Sequence, residues 1–113
     1  MDVTTDPTIA ARQLAPVLKA LGDENRLAIL LTLVAGPCSV VELTARLGLG
    51  QTLVSHHLKA LRDTGLVTAT PVGRSNVYEL CCDAVARPVR ELAGIAGLSL
   101  ADAATCNCAP IGA

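Results

Sequence analysis

SVVELTARLGLGQTLVSHHLKALRDTGL, residues Ser39 to Leu66, reads as two short helices around a tight turn. Ser39 followed three residues later by Glu42 has the form of a capping box, in which each side chain satisfies the other residue's free backbone N–H at a helix start. Val41, Leu43 and Leu47 give the first helix an apolar side, and Gly48 can end it in the left-handed conformation that other residues adopt only at a cost. Beyond Gly50, Val54, Leu58 and Leu61 recur at i, i+4 and i+7, so one face of the second helix packs inward. The opposite face gathers Thr52, Ser55, His56, Lys59 and Asp63, with Gln51 and Arg62 at its edges, and Gly65 closes the helix.

Amide, hydroxyl, imidazole and ammonium groups on one short helix can meet both base edges and phosphates in the DNA major groove. A merely solvated helix carries such groups too, and the residues that follow shift the balance. Leu66 to Thr70 and Val77 to Leu80 are β-prone runs joined by PVGRSN, a hairpin with Arg74 and Asn76 near its tip. A helix-turn-helix followed by such a hairpin is a winged helix, and a cation at the wing tip is placed to reach the backbone or minor groove. The expected fold is therefore mainly α with a β-hairpin wing. The expected DNA-contacting residues are Gln51, Thr52, Ser55, His56, Lys59 and Arg74.

The rest of the chain organises around this centre. Asp6 before Pro7 suits a helix start, with Ile9, Leu14, Val17, Leu18 and Leu21 on its apolar face and Pro16 as a kink or restart. A second helix begins at Gly22 and Asp23 and ends at Gly36 and Pro37, with Leu27, Leu30, Leu31 and Val34 expected as the core spine. After the wing, Asp83 can cap a last helix carrying Val85, Val89, Leu92 and Ile95, with Pro88 an early irregularity. Residues 1–98 form the expected folded domain, followed by a cysteine-containing tail over 99–113 in which Ser99 and Asp102 could cap a short turn.

At 113 residues there is room for one core, and a 51% hydrophobic content exceeds what a small monomer needs, which suggests a buried dimer interface. No apolar run approaches the roughly 18 residues of a membrane span, and MDVTTDPTIA has neither the basic region nor the apolar core of an export signal, so a cytoplasmic protein is expected. The net charge is only −1, but the stretch Gln51 to Arg74 carries +2 and the remainder −3, so cations concentrate on the proposed DNA side. Tyr78 is the only aromatic residue, which disfavours the base-stacking modules that bind single strands or RNA. No acid/base pair or nucleophile with a base is visible, and both histidines, His56 and His57, are placed for DNA, so an enzyme is not expected.

ALGDENRLAILLTL, VVELTARLGLGQTLVSHHLKALRDTGLV and GRSNVYEL, in that order, resemble the ArsR/SmtB family of bacterial metal-responsive repressors over roughly residues 18–80. The resemblance implies a homodimer, joined through its first and last helices, that occupies an inverted-repeat operator and leaves it when a thiophilic or transition metal binds. Gly50 stands where the family often has Ser, a weaker helix cap. The last helix has no histidine, so the His/Asp/Glu interhelical site of the family's zinc and nickel sensors cannot be built. The CVC-type arsenic motif of some members is also missing, its place reading SVVEL.

Five cysteines remain: Cys38, the adjacent Cys81 and Cys82, and the C-x-C pair Cys106 and Cys108. The odd count and a reducing compartment speak against a structural disulfide framework. Cys38 is expected as a small buried apolar residue. Cys81, Cys82, Cys106 and Cys108 are the expected ligands, three of them binding As(III) or Sb(III) as a neutral trigonal site. A four-thiolate Cd(II) or Pb(II) site is the alternative, and a thiol redox or persulfide switch the next.

Overall fold

The computed structural model describes residues 6–98. Five helices and three strands follow one another as α1 (Pro7–Leu21), α2 (Glu24–Leu33), β1 (Cys38–Ser39), α3 (Val40–Leu47), α4 (Gln51–Asp63), β2 (Val67–Val72), β3 (Ser75–Leu80) and α5 (Cys82–Ile95). The fold is the winged helix-turn-helix expected from the sequence.

The turn between α3 and α4 is built as its residues dictate. The Glu42 N–H donates to Ser39 Oγ at 3.2 Å and the Ser39 N–H to Glu42 Oε1 at 2.8 Å, closing the capping box in both directions. Gly48 ends α3 with φ +68°, in the left-handed region. Helix α4 buries Val54, Leu58 and Leu61 completely. Its end is a Schellman motif: the Leu66 N–H reaches Leu61 O at 3.0 Å, and the Gly65 N–H reaches Arg62 O at 2.9 Å. At roughly 1.5–3 kcal/mol for each buried leucine or valine, this apolar stripe is what docks α4 on the body.

The core is completed by Ile29, Leu30 and Leu33 of α2, Leu43 of α3, and Leu66, Val67 and Tyr78 of the sheet. In α2 the expected spine is corrected: Leu30 is buried, but Leu27, Leu31 and Val34 are exposed, and Ile29 and Leu33 take their places. The stretch LAILLTLV is apolar on every side, so periodicity cannot choose the inward face and packing does. Val41 of α3 is exposed as well. Helix α1 runs through Pro16 without a break. Helix α5 begins two residues earlier than a cap at Asp83 would place it. Cys81 is its N-cap, held by its N–H to Leu66 O at 2.9 Å, and Asp83 lies in the first turn.

The sheet has the order β1-β3-β2, all antiparallel. Strands β2 and β3 reach further toward the tip than expected, leaving only Gly73 and Arg74 between them. Gly73 takes φ +61° while Arg74 does not have a positive φ, as in a two-residue type II′ hairpin. Pro71 is tolerated inside β2 because that strand lies at the sheet edge. Strand β1 was not expected: Cys38 faces Tyr78 and Ser39 faces Val77, so the residue that caps α3 is also paired to the wing. Among the described residues no helix is long and apolar enough to cross a membrane.

Candidate nucleic-acid interface

Helix α4 and the wing tip present the DNA-contacting residues expected from the sequence. Gln51, Thr52, Ser55, His56 and Lys59 are all exposed on α4, with Arg62 and Asp63 beside them, and Arg74 is exposed at the hairpin turn. Gly50 occupies the N-cap with extended backbone and no side-chain bond, so the first N–H groups of α4 are left to solvent or to a phosphate. Lys59 Nζ donates to Asp63 Oδ2 at 3.1 Å one turn on, an exposed pair worth only about 0.3–0.5 kcal/mol, which leaves the ammonium able to turn to a phosphate.

Arg46, exposed in the last turn of α3, went unnoticed in the sequence. Its place on the first helix of the motif, which crosses the backbone in such complexes, suits a phosphate contact. The only sequence signal was a lone arginine near a helix C-terminus, where the helix dipole alone accounts for it. Its charge also reaches Glu42, whose carboxyl is held below the ordinary range mainly by the Ser39 backbone N–H, then by the Ser39 side chain, and least by Arg46, against opposing desolvation.

The two histidines divide. His56 faces outward, whereas His57, expected to face DNA, is only 6% exposed and turns toward α2. Its position puts it one residue round from the Val54, Leu58, Leu61 stripe, at about 100° per residue, so it falls on the inner flank. His57 Nε2 lies 3.8 Å from Asp23 Oδ2, and His57 Nδ1 lies 3.4 Å from Arg26 Nη1. Asp23 is itself the N-cap of α2, accepting the Arg26 N–H at 3.0 Å. That backbone bond is the main reason its carboxyl is held below the ordinary range; the Arg26 guanidinium and, whenever its ring is protonated, His57 add to it, against opposing desolvation.

The cysteines expected as metal ligands lie apart from this surface. Cys81 and Cys82 sit side by side where β3 passes into α5, both partly buried. Cys106 and Cys108 lie outside the described residues. Among the described residues no three His, Cys, Asp or Glu side chains converge as a metal site. Cys81 is a free thiol, whereas Cys82 is disulfide-bonded, contrary to the expectation that no cysteine would be, so Cys82 could act as a ligand only after reduction. Cys38 is 1% exposed, with Sγ 3.7 Å from Gly36 O, as a packed apolar residue should be.

The family model described as "Bacterial regulatory protein, arsR family" matches residues 23–69, from the cap of α2 into the wing. The HTH-type transcriptional regulator NmtR of Mycobacterium tuberculosis is 46% identical over 71 residues, covering 63% of this chain and 59% of that one. An arsenical resistance operon repressor of Staphylococcus xylosus is 36% identical over 69 residues, covering 61% of this chain and 66% of its own length. Among solved structures, an ArsR-like transcriptional regulator from Rhodococcus sp. RHA1 superposes with a TM-score of 0.70 at 33% identity, covering 78% of this chain and 83% of that one.

Proposed function

Because the chain belongs to the arsR family of bacterial regulatory proteins, we propose that it is a repressor that binds an inverted-repeat operator as a homodimer and releases it when As(III) or Sb(III) binds cysteine thiolates. The observation that carries the DNA half is the exposed polar face of α4, with Arg74 at the tip of a wing anchored to the same motif. Gln51, Thr52, Ser55 and His56 would meet base edges, and Lys59 and Arg74 phosphates.

Dimerisation through α1 and α5 is supported by what those helices leave uncovered. Val89, Leu92 and Ile95 are exposed along α5, and a groove of about 390 Å³ runs between the two helices, lined by Ile9, Gln13, Val17, Arg87, Pro88 and Glu91. Apolar side chains spaced in this way fit a second copy of the same surface.

For the inducer, the donor set decides the chemistry. Cys81, Cys82, Cys106 and Cys108 offer only soft sulfur, and His56 and His57 are engaged elsewhere, which favours a thiophilic ion over zinc or nickel. Three thiolates neutralise a trivalent ion, and the name of the staphylococcal relative points to the same element. Four sulfurs, once Cys82 is released from its disulfide by reduction, would also suit Cd(II) or Pb(II), and that reading is kept for this reason. The test is anaerobic titration of the reduced full chain on its operator with As(III), Cd(II), Zn(II) and a polysulfide donor. Release by As(III) at the lowest concentration supports the assignment. Release by Cd(II) or polysulfide first, with As(III) inert, replaces it. Cys106→Ser and Cys108→Ser should each raise the As(III) needed while leaving operator affinity unchanged.

A further inference from the structure

Among the described residues, His57 is the only buried polar or charged side chain. Nothing in base or phosphate recognition uses it, yet it sits in the middle of the helix that carries the recognition residues. Val54, Leu58 and Leu61 hold that helix to the body by apolar contact, which is non-directional and resists small rolls weakly. The side chains of a helix end about 5–6 Å from its axis, so a roll of about 20° moves their tips by about 2 Å, more than a hydrogen bond to a base edge tolerates. A directional polar contact adds to this packing in setting the roll.

His57 has one toward Arg26, whose Nη1 lies 3.4 Å from Nδ1, and a looser electrostatic one toward Asp23, whose Oδ2 lies 3.8 Å from Nε2, beyond hydrogen-bond length. A neutral ring with its proton on Nε2 turns that N–H toward the Asp23 carboxylate and leaves Nδ1 to accept from Arg26. Arg26 is fixed in turn: its Nε donates to Ala20 O at 2.8 Å and its Nη2 to Lys19 O at 3.4 Å, at the C-terminal end of α1. A chain of polar contacts thus runs from the end of α1, through the Arg26 guanidinium, to the interior of α4. Resting on the DNA reading above, we propose that His57 is the positioning residue of the recognition helix, its ring held between Asp23 and Arg26 so that the α1/α2 junction sets where Ser55 and His56 point. The same chain gives α1 a route by which its packing against a second copy is felt at the DNA face.

The discriminating quantity is the ratio of operator affinity to random-duplex affinity. It depends on helix roll, whereas overall stability and phosphate contacts depend on it little. Fluorescence anisotropy on both duplexes, with helical circular dichroism as the folding control, is run on wild type, His57→Leu, His57→Gln, Asp23→Asn and the Asp23→Asn, His57→Leu double variant. Leucine fills the space without polar contacts, and glutamine keeps one donor and one acceptor. Asparagine preserves the α2 cap. His57→Leu is expected to lower the ratio about tenfold, with random-duplex binding little changed and glutamine restoring most of the loss. Asp23→Asn is expected to lower it as well, and the double variant to fall no further than His57→Leu, because both remove one chain of contacts. If wild type discriminates and both His57→Leu and Asp23→Asn keep its ratio to within about twofold, the proposal is overturned. Should His57→Leu lose its helical signal, Asp23→Asn and His57→Gln decide: a reduced ratio in Asp23→Asn that glutamine escapes supports the proposal, and wild-type ratios in both overturn it. A wild type that fails to discriminate overturns the DNA reading itself, and this inference with it.

Discussion

Two glycines stand two residues apart in the turn of the helix-turn-helix, and replacing each by serine should move stability in opposite directions. A Cβ added at Gly48 or at Gly50 meets nothing within 4 Å, so crowding does not separate them. Backbone geometry does: Gly48 has φ +68°, whereas Gly50 has φ −69° and ψ 151°, which any residue adopts. At Gly50, serine would supply the side-chain cap that α4 lacks, worth a few tenths of a kcal/mol over glycine, and would cut the freedom of the unfolded chain by about 0.4–1 kcal/mol. The net gain is roughly 0.5–1 kcal/mol. At Gly48 the left-handed conformation costs about 1–2 kcal/mol for a residue with a Cβ, partly offset by the same unfolded-state term, a net loss of about 1 kcal/mol. For a domain of this size, with about 4–8 °C per kcal/mol, the two melting temperatures should separate by about 10 °C with wild type between them. Thermal unfolding followed by circular dichroism, at one protein concentration because dimerisation would contribute, reads this directly. Shifts of the same sign for both variants would refute the reasoning.

Three other predictions test the interface, the assembly and the cap. Ser55→Ala and His56→Ala should each remove about 1–3 kcal/mol of operator discrimination, whereas Arg74→Ala should weaken binding to all duplexes and flatten the salt dependence, as read by anisotropy titrations over a salt series. Ile95 is 81% exposed, so Ile95→Asp should leave the fold of a single chain intact yet give monomer on sedimentation and an operator affinity lower by about 10²-fold or more; a wild type that is itself monomeric would remove the dimer model. Because the folded-state pKa of Glu42 is depressed, its stabilising contribution is complete above the ordinary carboxylate pKa and is lost as pH falls through the folded value. The melting-temperature gap between wild type and Glu42→Gln should therefore be full at neutral pH, start to close below the ordinary carboxylate pKa and vanish only once the pH lies below the depressed folded value, and a gap that persists in stronger acid would show that the carboxylate charge is not what the cap uses.

The helix-turn-helix was legible because each of its parts has a local cause: a reciprocal cap at Ser39 and Glu42, a glycine forced to positive φ, and a 3.6-residue stripe on α4. The wing was legible from its β-prone runs, but its length was not. Pro71 reads as a strand breaker until its edge position is known. A two-residue strand such as β1 has no periodicity to detect. The inward face of α2 was hidden by too many leucines, and the start of α5 was set by a long-range bond from Cys81 to Leu66 that outweighs the local preference for capping by Asp83. His57 was misread for a related reason. A histidine beside His56 on a polar helix looks solvent-facing, and only the approach of Asp23 and Arg26, 34 and 31 residues away along the chain, shows why it can be buried.

Ser39 belongs at once to the sheet and to the helix it caps, since it pairs with Val77 of the wing while its side chain and N–H close the capping box of α3. The wing is thereby tied to α3, and through the packing of α3 against α4 to the proposed recognition helix, so that the two stand as prongs of one caliper rather than a blade on a hinge. If both prongs meet one operator as proposed, a fixed gap would pass the burden of fitting to the DNA, which would have to bend or narrow its minor groove until both seat. Base pairs lying between the prongs, touched by neither, would then influence affinity through how cheaply they deform. Operators altered only at those positions would report that stiffness as a change in binding.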